Sequence, residues 1–220
     1  VEAFRNILIS EITLEGYERG INAFMEKPDL LPFEEAKLYG HNAIHALMGY
    51  LAALKGYAFM SDIGSDDGIM KIGRQAFLEE SGATLIRKHR DVDPLFTEQG
   101  YTAYADDLLI RMTNPYLRDT IQRVCRDPQR KLGVHDRLIG LIRLACAYQV
   151  APRWMGLGGA AALVYLHPQI REEEIGPTLS GLWAQPVSAS DEWLAYIKRG
   201  MTWLRDWQRS GKTLESYVEM

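Results

Sequence analysis

The chain has 220 residues, 47% hydrophobic and 25% charged, enough for one sizeable domain with a real core. Its 25 basic and 29 acidic residues leave a net charge of −4, which argues against a general nucleic-acid or polyanion binder. No stretch is apolar for long enough to span a membrane, and Val1 to Arg5 does not start a signal peptide. The two cysteines, Cys125 and Cys146, form no disulfide framework, so buried free thiols in a cytoplasmic protein are expected. The chain opens at Val1 inside a pattern, and a piece of a longer protein is expected.

Residues 4–10 read as a short strand or an extended entry. Helical periodicity then dominates, with helices expected at 15–27, 33–55, 67–81, 99–113, 115–126, 135–149, 156–166, 172–182 and 191–209. No strand–turn–helix alternation occurs. The expectation is an all-α fold over 1–220 as a single domain, with no Rossmann domain in this chain.

The helix at 33–55 carries the most chemistry. Pro32, Glu34 and Glu35 suit a first turn, and Gly56 suits a stop. At about 100° per residue, Ala43, Ile44, Leu47, Tyr50, Leu51 and Leu54 share one arc, and Lys37, His41, Asn42 and His45 the opposite one. A solvated face would continue in Glu and Lys, but this arc continues in Met48, Gly49, Ala52 and Ala53. The helix is therefore expected to be covered on both sides, with the polar cluster lining a cleft or half-buried. Desolvation there would lower a lysine's pKa and make it usable as a base. His41 and His45 also have metal-helix spacing. Asn42 stands where a zinc hydrolase needs Glu, and no nearby Cys or Asp completes a set, so no metal is expected.

The helix at 115–126 has an apolar stripe of Leu117, Ile121 and Val124. Arg123 and Arg126 lie one turn apart, Arg130 and Lys131 follow a break at Asp127-Pro128, and Asp119 precedes Arg123 by four. By itself such a run reads as a solvated, salt-bridged surface. The run 87–90 reads the same way. The string Gly156-Leu-Gly158-Gly159 lacks the preceding strand that a dinucleotide loop needs, and is expected to be a close helix contact. Trp193, Trp203 and Trp207 are expected to pack, and His135 and His167 to be structural.

Lys37-x4-Asn42-x2-His45 resembles the signature of the long-chain mannitol (polyol) dehydrogenase family. The strings KLYGHNAIH, GRQAFLEESG, NPYLRDTIQRVCRDPQRKL and HDRLIG, in this order, extend the resemblance from Phe4 to at least Leu166. The resemblance implies a multi-helix bundle of the 6-phosphogluconate dehydrogenase C-terminal-like type. It implies NAD as cofactor, bound mainly by an N-terminal Rossmann domain outside this chain, and no metal. It implies Lys37 as general base, with Asn42 and His45 holding the reacting oxygen. Arg123, Arg126 and Lys131 match the spacing of a substrate-contacting Arg-x2-(His or Arg)-x4-Lys element. Unphosphorylated mannitol enzymes are similar but carry His in the middle. Arg126 there suits a phosphate, so the implied substrate is a sugar-alcohol phosphate, mannitol 1-phosphate oxidised to fructose 6-phosphate. Neither nucleic acid nor membrane is an expected partner.

Two other readings stay open: a sister activity on mannitol or hexuronates, and a free-standing helical binding module that has lost catalysis. The intact Lys37, Asn42 and His45 set weighs against the module.

Overall fold

The structure, a computed structural model, describes residues 7–16, 20, 21 and 23–217. Val1 to Asn6, and with them the signal-peptide reading and the start of the 4–10 segment, lie outside the described residues, as do 17–19 and 22 within the expected 15–27 helix. Strand β1 (Ile7–Ser10) pairs in parallel with β2 (Phe24–Lys27), Ile7 opposite Phe24 and Ser10 opposite Lys27. The expected helix at 15–27 is thus corrected: its last residues are a strand. The backbone edge of β1 supplies that pairing, and tertiary partners outweigh local helix propensity.

Helices make up the rest. A continuous rod runs through α1 (Leu31–Glu35), a π-helical stretch π1 (Ala36–Asn42) and α2 (Ala43–Lys55), stopped by Gly56 at φ +78°. A second rod runs through α3 (Asp67–Gln75), π2 (Ala76–Gly82) and α4 (Ala83–Lys88), extending the expected 67–81 helix by two turns. Then come α5 (Glu98–Met112), α6 (Ile121–Val124), α7 (Pro128–Lys131), α8 (Ile139–Ala147), α9 (Arg153–Leu166), α10 (Ile175–Trp183) and α11 (Glu192–Ser210). The all-α expectation holds, apart from the small β pair. No described helix is long and apolar enough to cross a membrane.

The expected 115–126 helix is also corrected. Only a short turn at Pro115–Leu117 and the four residues of α6 are helical. Arg118 takes a left-handed conformation (φ +48°), and the chain then bridges to residues 58–60 through Met60 N–H to Asp119 O, 2.9 Å, and Ile121 N–H to Ala58 O, 2.9 Å.

Helix α2 is the axis of the core. Ala43, Ile44 and 46–52 are all buried, which meets the expected two-sided covering. It packs on α9, buried from 154 to 164, and α9 packs on α11. The glycine string of α9 lies at these crossings. A Cβ on Gly158 would stand 2.8 Å from Leu47 Cδ1, and one on Gly156 only 2.5 Å from the Tyr196 carbonyl oxygen. The close-contact reading of this string therefore holds. Trp193 is buried in α11, and Trp203 and Trp207 are packed against the core. Cys125 is buried and Cys146 half-buried, both free.

The N-terminus of α9 is closed from π2. Glu80 is buried, and its carboxyl oxygens accept the Trp154 and Met155 backbone N–H groups at 2.7 and 2.9 Å. These are donors that a first helical turn leaves without partners. Burial raises the Glu80 carboxyl from its ordinary 4.5 to about 8, against the pull of those two hydrogen bonds. Between these values the folded chain retains a proton that the unfolded chain has released, so stability falls as pH rises through the window. Glu80→Gln holds no such proton. The difference in unfolding free energy between wild type and Glu80→Gln should slope across that window by at most about 1.4 kcal/mol per pH unit and level off outside it. Denaturant titrations at several pH values measure it, and parallel stability curves would refute the assignment.

Candidate active site

The polar cluster of the first rod owes its arrangement to π1. On a regular α-helix Lys37 and Asn42 would point roughly 140° apart. A π turn closes i→i+5 hydrogen bonds, so residues five apart stack as residues four apart do in an α-helix. Lys37 and Asn42 are five apart within π1, and His45 follows one turn into α2. The extra residue thus narrows the angle between Lys37 and Asn42 that a regular α-helix would set.

Tertiary contacts hold π1 in this form. A Cβ on Gly40 would meet Tyr101 Oη at 2.8 Å, and one on Gly82 of π2 would meet Tyr101 Cδ1 at 2.8 Å. The two π stretches meet around this one ring, whose hydroxyl is 2.7 Å from Ser81 Oγ. Tyr104 Oη donates to the Ala36 carbonyl at 3.3 Å. Glu35 accepts from Lys88 at 2.6 Å and pairs with His89 at 2.7 Å, anchoring the start of π1 to the end of α4. The run 87–90 is therefore not simply solvated: Arg87 donates to the Tyr148 carbonyl at 2.7 Å, and His89 is buried.

A cleft of about 520 Å³ opens beside π1. Lys37, His41 and Arg111 are its basic walls, Glu34 an acidic one, and Leu8, Phe33 and Leu108 are among its apolar ones. Lys37 is exposed at the cleft it lines, while His41, Asn42 and His45 are half-buried. Asn42 and His45 are not among the described walls. His45 continues the row beyond His41, ring centroids 5.9 Å apart.

Past His45 lies the basic cluster. Asp119 is buried; its Oδ1 accepts from Arg123 Nε at 2.6 Å, and its Oδ2 is 3.4 Å from His45 Nε2. Burial alone would raise this carboxyl, but the His45 and Arg123 hydrogen bonds outweigh it and hold it at about 2. A shallow pocket of about 380 Å³ has Arg123, Arg126, Thr120, Gln122 and Tyr165 among its walls. The Arg126 side chain is 75% exposed and 3.6 Å from Asp127.

The third expected member of that cluster stands elsewhere. Lys131 is buried, and its ammonium donates to the Val124 carbonyl at 2.7 Å and to that of Arg126. Asp127 in the left-handed region (φ +55°) and Pro128 turn the chain back, so Lys131 closes the end of α6 from inside. Burial, with Arg137 adding to it, lowers its pKa. The structure thus brings Arg123 and Arg126 together at one surface and sets Lys131 behind them.

Asp119 was visible in the sequence only as an acid four residues before Arg123, the mark of a surface pair; its contact with His45 needs the bend at Arg118. No group of three or more His, Cys, Asp or Glu side chains that could hold a metal ion occurs among the described residues.

Comparison with known proteins places the chain in a family. The chain is 36% identical over 137 residues to a mannitol-1-phosphate 5-dehydrogenase of Caldanaerobacter subterraneus, covering 62% of this chain and 34% of that protein. It is 34% identical over 172 residues to one of Brevibacillus brevis, covering 78% and 43%. The chain thus spans less than half the length of these curated relatives. Among solved structures, the mannitol 2-dehydrogenase of Pseudomonas fluorescens, in a ternary complex with NAD and D-mannitol, superposes with a TM-score of 0.71 at 21% identity, over 89% of this chain and 42% of that one. A D-sorbitol dehydrogenase in substrate-free form follows at 0.67 and 14%, over 88% and 42%; at such identities the likeness shows the fold alone. Residues 29–208 match the family described as mannitol dehydrogenase C-terminal domain, and the chain belongs to that family.

Proposed function

We propose that this chain is the substrate-binding and catalytic half of an NAD-dependent dehydrogenase that interconverts mannitol 1-phosphate and fructose 6-phosphate. The observation that carries the reading is the row Lys37, His41, His45, Asp119, Arg123 and Arg126. It runs from a lysine at an open cleft to a pair of guanidinium groups at a surface pocket. A sugar-alcohol phosphate has the matching order, a reacting hydroxyl near one end and a dianion at the other. The names of the relatives at 36% and 34% identity support it.

Among the described residues, the one glycine-rich string is buried at helix crossings and cannot cradle a pyrophosphate. The nucleotide end of NAD is therefore left to an N-terminal Rossmann domain in the longer protein, as the sequence resemblance implies. The apolar walls beside Lys37, formed by Leu8, Phe33 and Leu108, suit the reacting ring of NAD. When bound, NAD supplies the acceptor for the hydride.

This chain's residues handle the proton and the oxygen. Lys37 takes the hydroxyl proton as hydride leaves the same carbon, and returns it in the reduction. Asn42 donates to the oxygen as charge develops on it, and His45 orients the reacting hydroxyl and the lysine. Lys37 is exposed in this chain, and a second domain closing the cleft would expel water from around it. A cytoplasmic location belongs to the same reading.

The full-length protein should reduce NAD with mannitol 1-phosphate far better than with mannitol or hexuronates. The isolated 220-residue chain should show no such activity. Equal rates with all three substrates would move the assignment to a sister activity. No NAD-linked activity with any of them would favour the binding module.

A further inference from the structure

We infer that Asp119 is a positioning residue of this site: one carboxylate holds His45 by Nε2 and Arg123 by Nε, and so sets which atom of the imidazole faces the substrate. The inference rests on the dehydrogenase reading for its catalytic meaning, but its geometry stands independently.

Four observations place Asp119 firmly. Its side chain is only 8% exposed, so its two oxygens depend on protein partners. Its carbonyl accepts from Met60, and Ile121 donates to Ala58, pinning the backbone on both sides. The residue before it, Arg118, sits in the left-handed region, a conformation that persists only where the surroundings dictate it. The Thr120 hydroxyl accepts from the Arg123 N–H at 3.2 Å and fixes the start of α6, and with it the approach of Arg123.

An arginine can only donate, and an ionised carboxylate can only accept. With Arg123 Nε–H on Oδ1, the other oxygen remains an acceptor 3.4 Å from His45 Nε2 and favours a hydrogen there. Nδ1, an acceptor in this tautomer, is then the imidazole atom left to take a hydrogen from a substrate hydroxyl or the lysine ammonium. Arg123 spends only Nε on Asp119, so its terminal nitrogens stay available to a substrate at the 380 Å³ pocket. Asp119 thereby joins the group that holds the reacting oxygen to the one at the charged end of the substrate.

The Asp119→Asn substitution tests this sharply. Arg123 still demands an acceptor, so the amide oxygen must face it and the amide NH₂ must face His45. Nε2 then becomes an acceptor, and the proton moves to Nδ1. Long-range ¹H–¹⁵N spectra of the labelled chain, with the His45 signals assigned from His45→Gln, report the tautomer. The expected result is hydrogen on Nε2 in the wild type and on Nδ1 in Asp119→Asn. A wild type whose neutral His45 carries its proton on Nδ1 overturns the proposal with no variant needed. So does a tautomer that ignores Asp119→Asn. If that variant does not fold, Arg123→Leu replaces it: the carboxylate remains, so the Nε2–H form must persist, and its loss overturns the proposal.

In the full-length enzyme Asp119→Asn should lower kcat by at least about tenfold, since it presents the wrong tautomer, and Asp119→Glu should restore part of the loss. An unchanged kcat removes the positioning role. Should Lys37→Ala leave turnover normal, the dehydrogenase reading fails, while the tautomer result still judges the Asp119 geometry separately.

Discussion

Lys37→Ala in the full-length enzyme should cut turnover by about a hundredfold or more, the loss expected when a general base is removed. Lys37 is exposed on π1, and the core beneath it is built from Ala43, Ile44 and Leu47, so the variant should fold normally and keep its unfolding midpoint. Affinity for NAD should also persist. Lys37→Arg separates the base from the charge. It preserves a cation at the cleft, but a guanidinium does not release its proton in a protein, so turnover should stay as low as in the alanine variant. Steady-state kinetics with mannitol 1-phosphate measure both. Near-normal turnover in either variant would remove Lys37 from the mechanism.

Arg126→Ala should raise KM for mannitol 1-phosphate by about ten- to a hundredfold, the equivalent of a lost charge-assisted contact of roughly 1.5–3 kcal/mol. Any residual activity on unphosphorylated mannitol should hardly change. The prediction depends on where the guanidinium stands: three-quarters exposed, beside Arg123 at the same pocket, with Asp127 its neighbour at 3.6 Å. A pair so exposed contributes little to folding, so a change in KM cannot be blamed on a damaged fold. The decisive quantity is the ratio of kcat/KM values for the two substrates. Equal weakening of both would make Arg126 a general structural residue and return the sister activity on mannitol or hexuronates to first place. The same substitution at Lys131 should behave differently. Its ammonium closes the end of α6 from within, so Lys131→Ala should act first on stability and only through it on binding.

The local pattern of the sequence already carried the helical class, the two-sided burial of α2 and the close helix contact at Gly156-Leu-Gly158-Gly159, because each depends on which residue types recur along a single helix. Small and apolar residues on the arc of Lys37 pointed to a covered helix, and clustered glycines without a preceding strand pointed to close approach. The residue types at 37, 42, 45, 123 and 126 were legible for the same reason: base, amide, imidazole and guanidinium name their chemistry wherever they stand. What the tertiary structure alone decided is how these groups meet. A helical wheel sets Lys37 and Asn42 at the two edges of their shared arc. One extra residue in the π1 turn narrows the angle between them, and that turn is held by Tyr101, Gly40 and Gly82, contacts far apart in the chain. The strand at Phe24–Lys27 exists because β1 offers its edge, which no local propensity records. Asp119 reads as a surface acid until the left-handed Arg118 and the bridge to residues 58–60 turn it inward to His45. Lys131 reads as a ligand contact until Asp127 and Pro128 fold it behind Arg126. Sequence spacing measures distance along one helix, and these contacts are set by backbone reversals that bring different elements together.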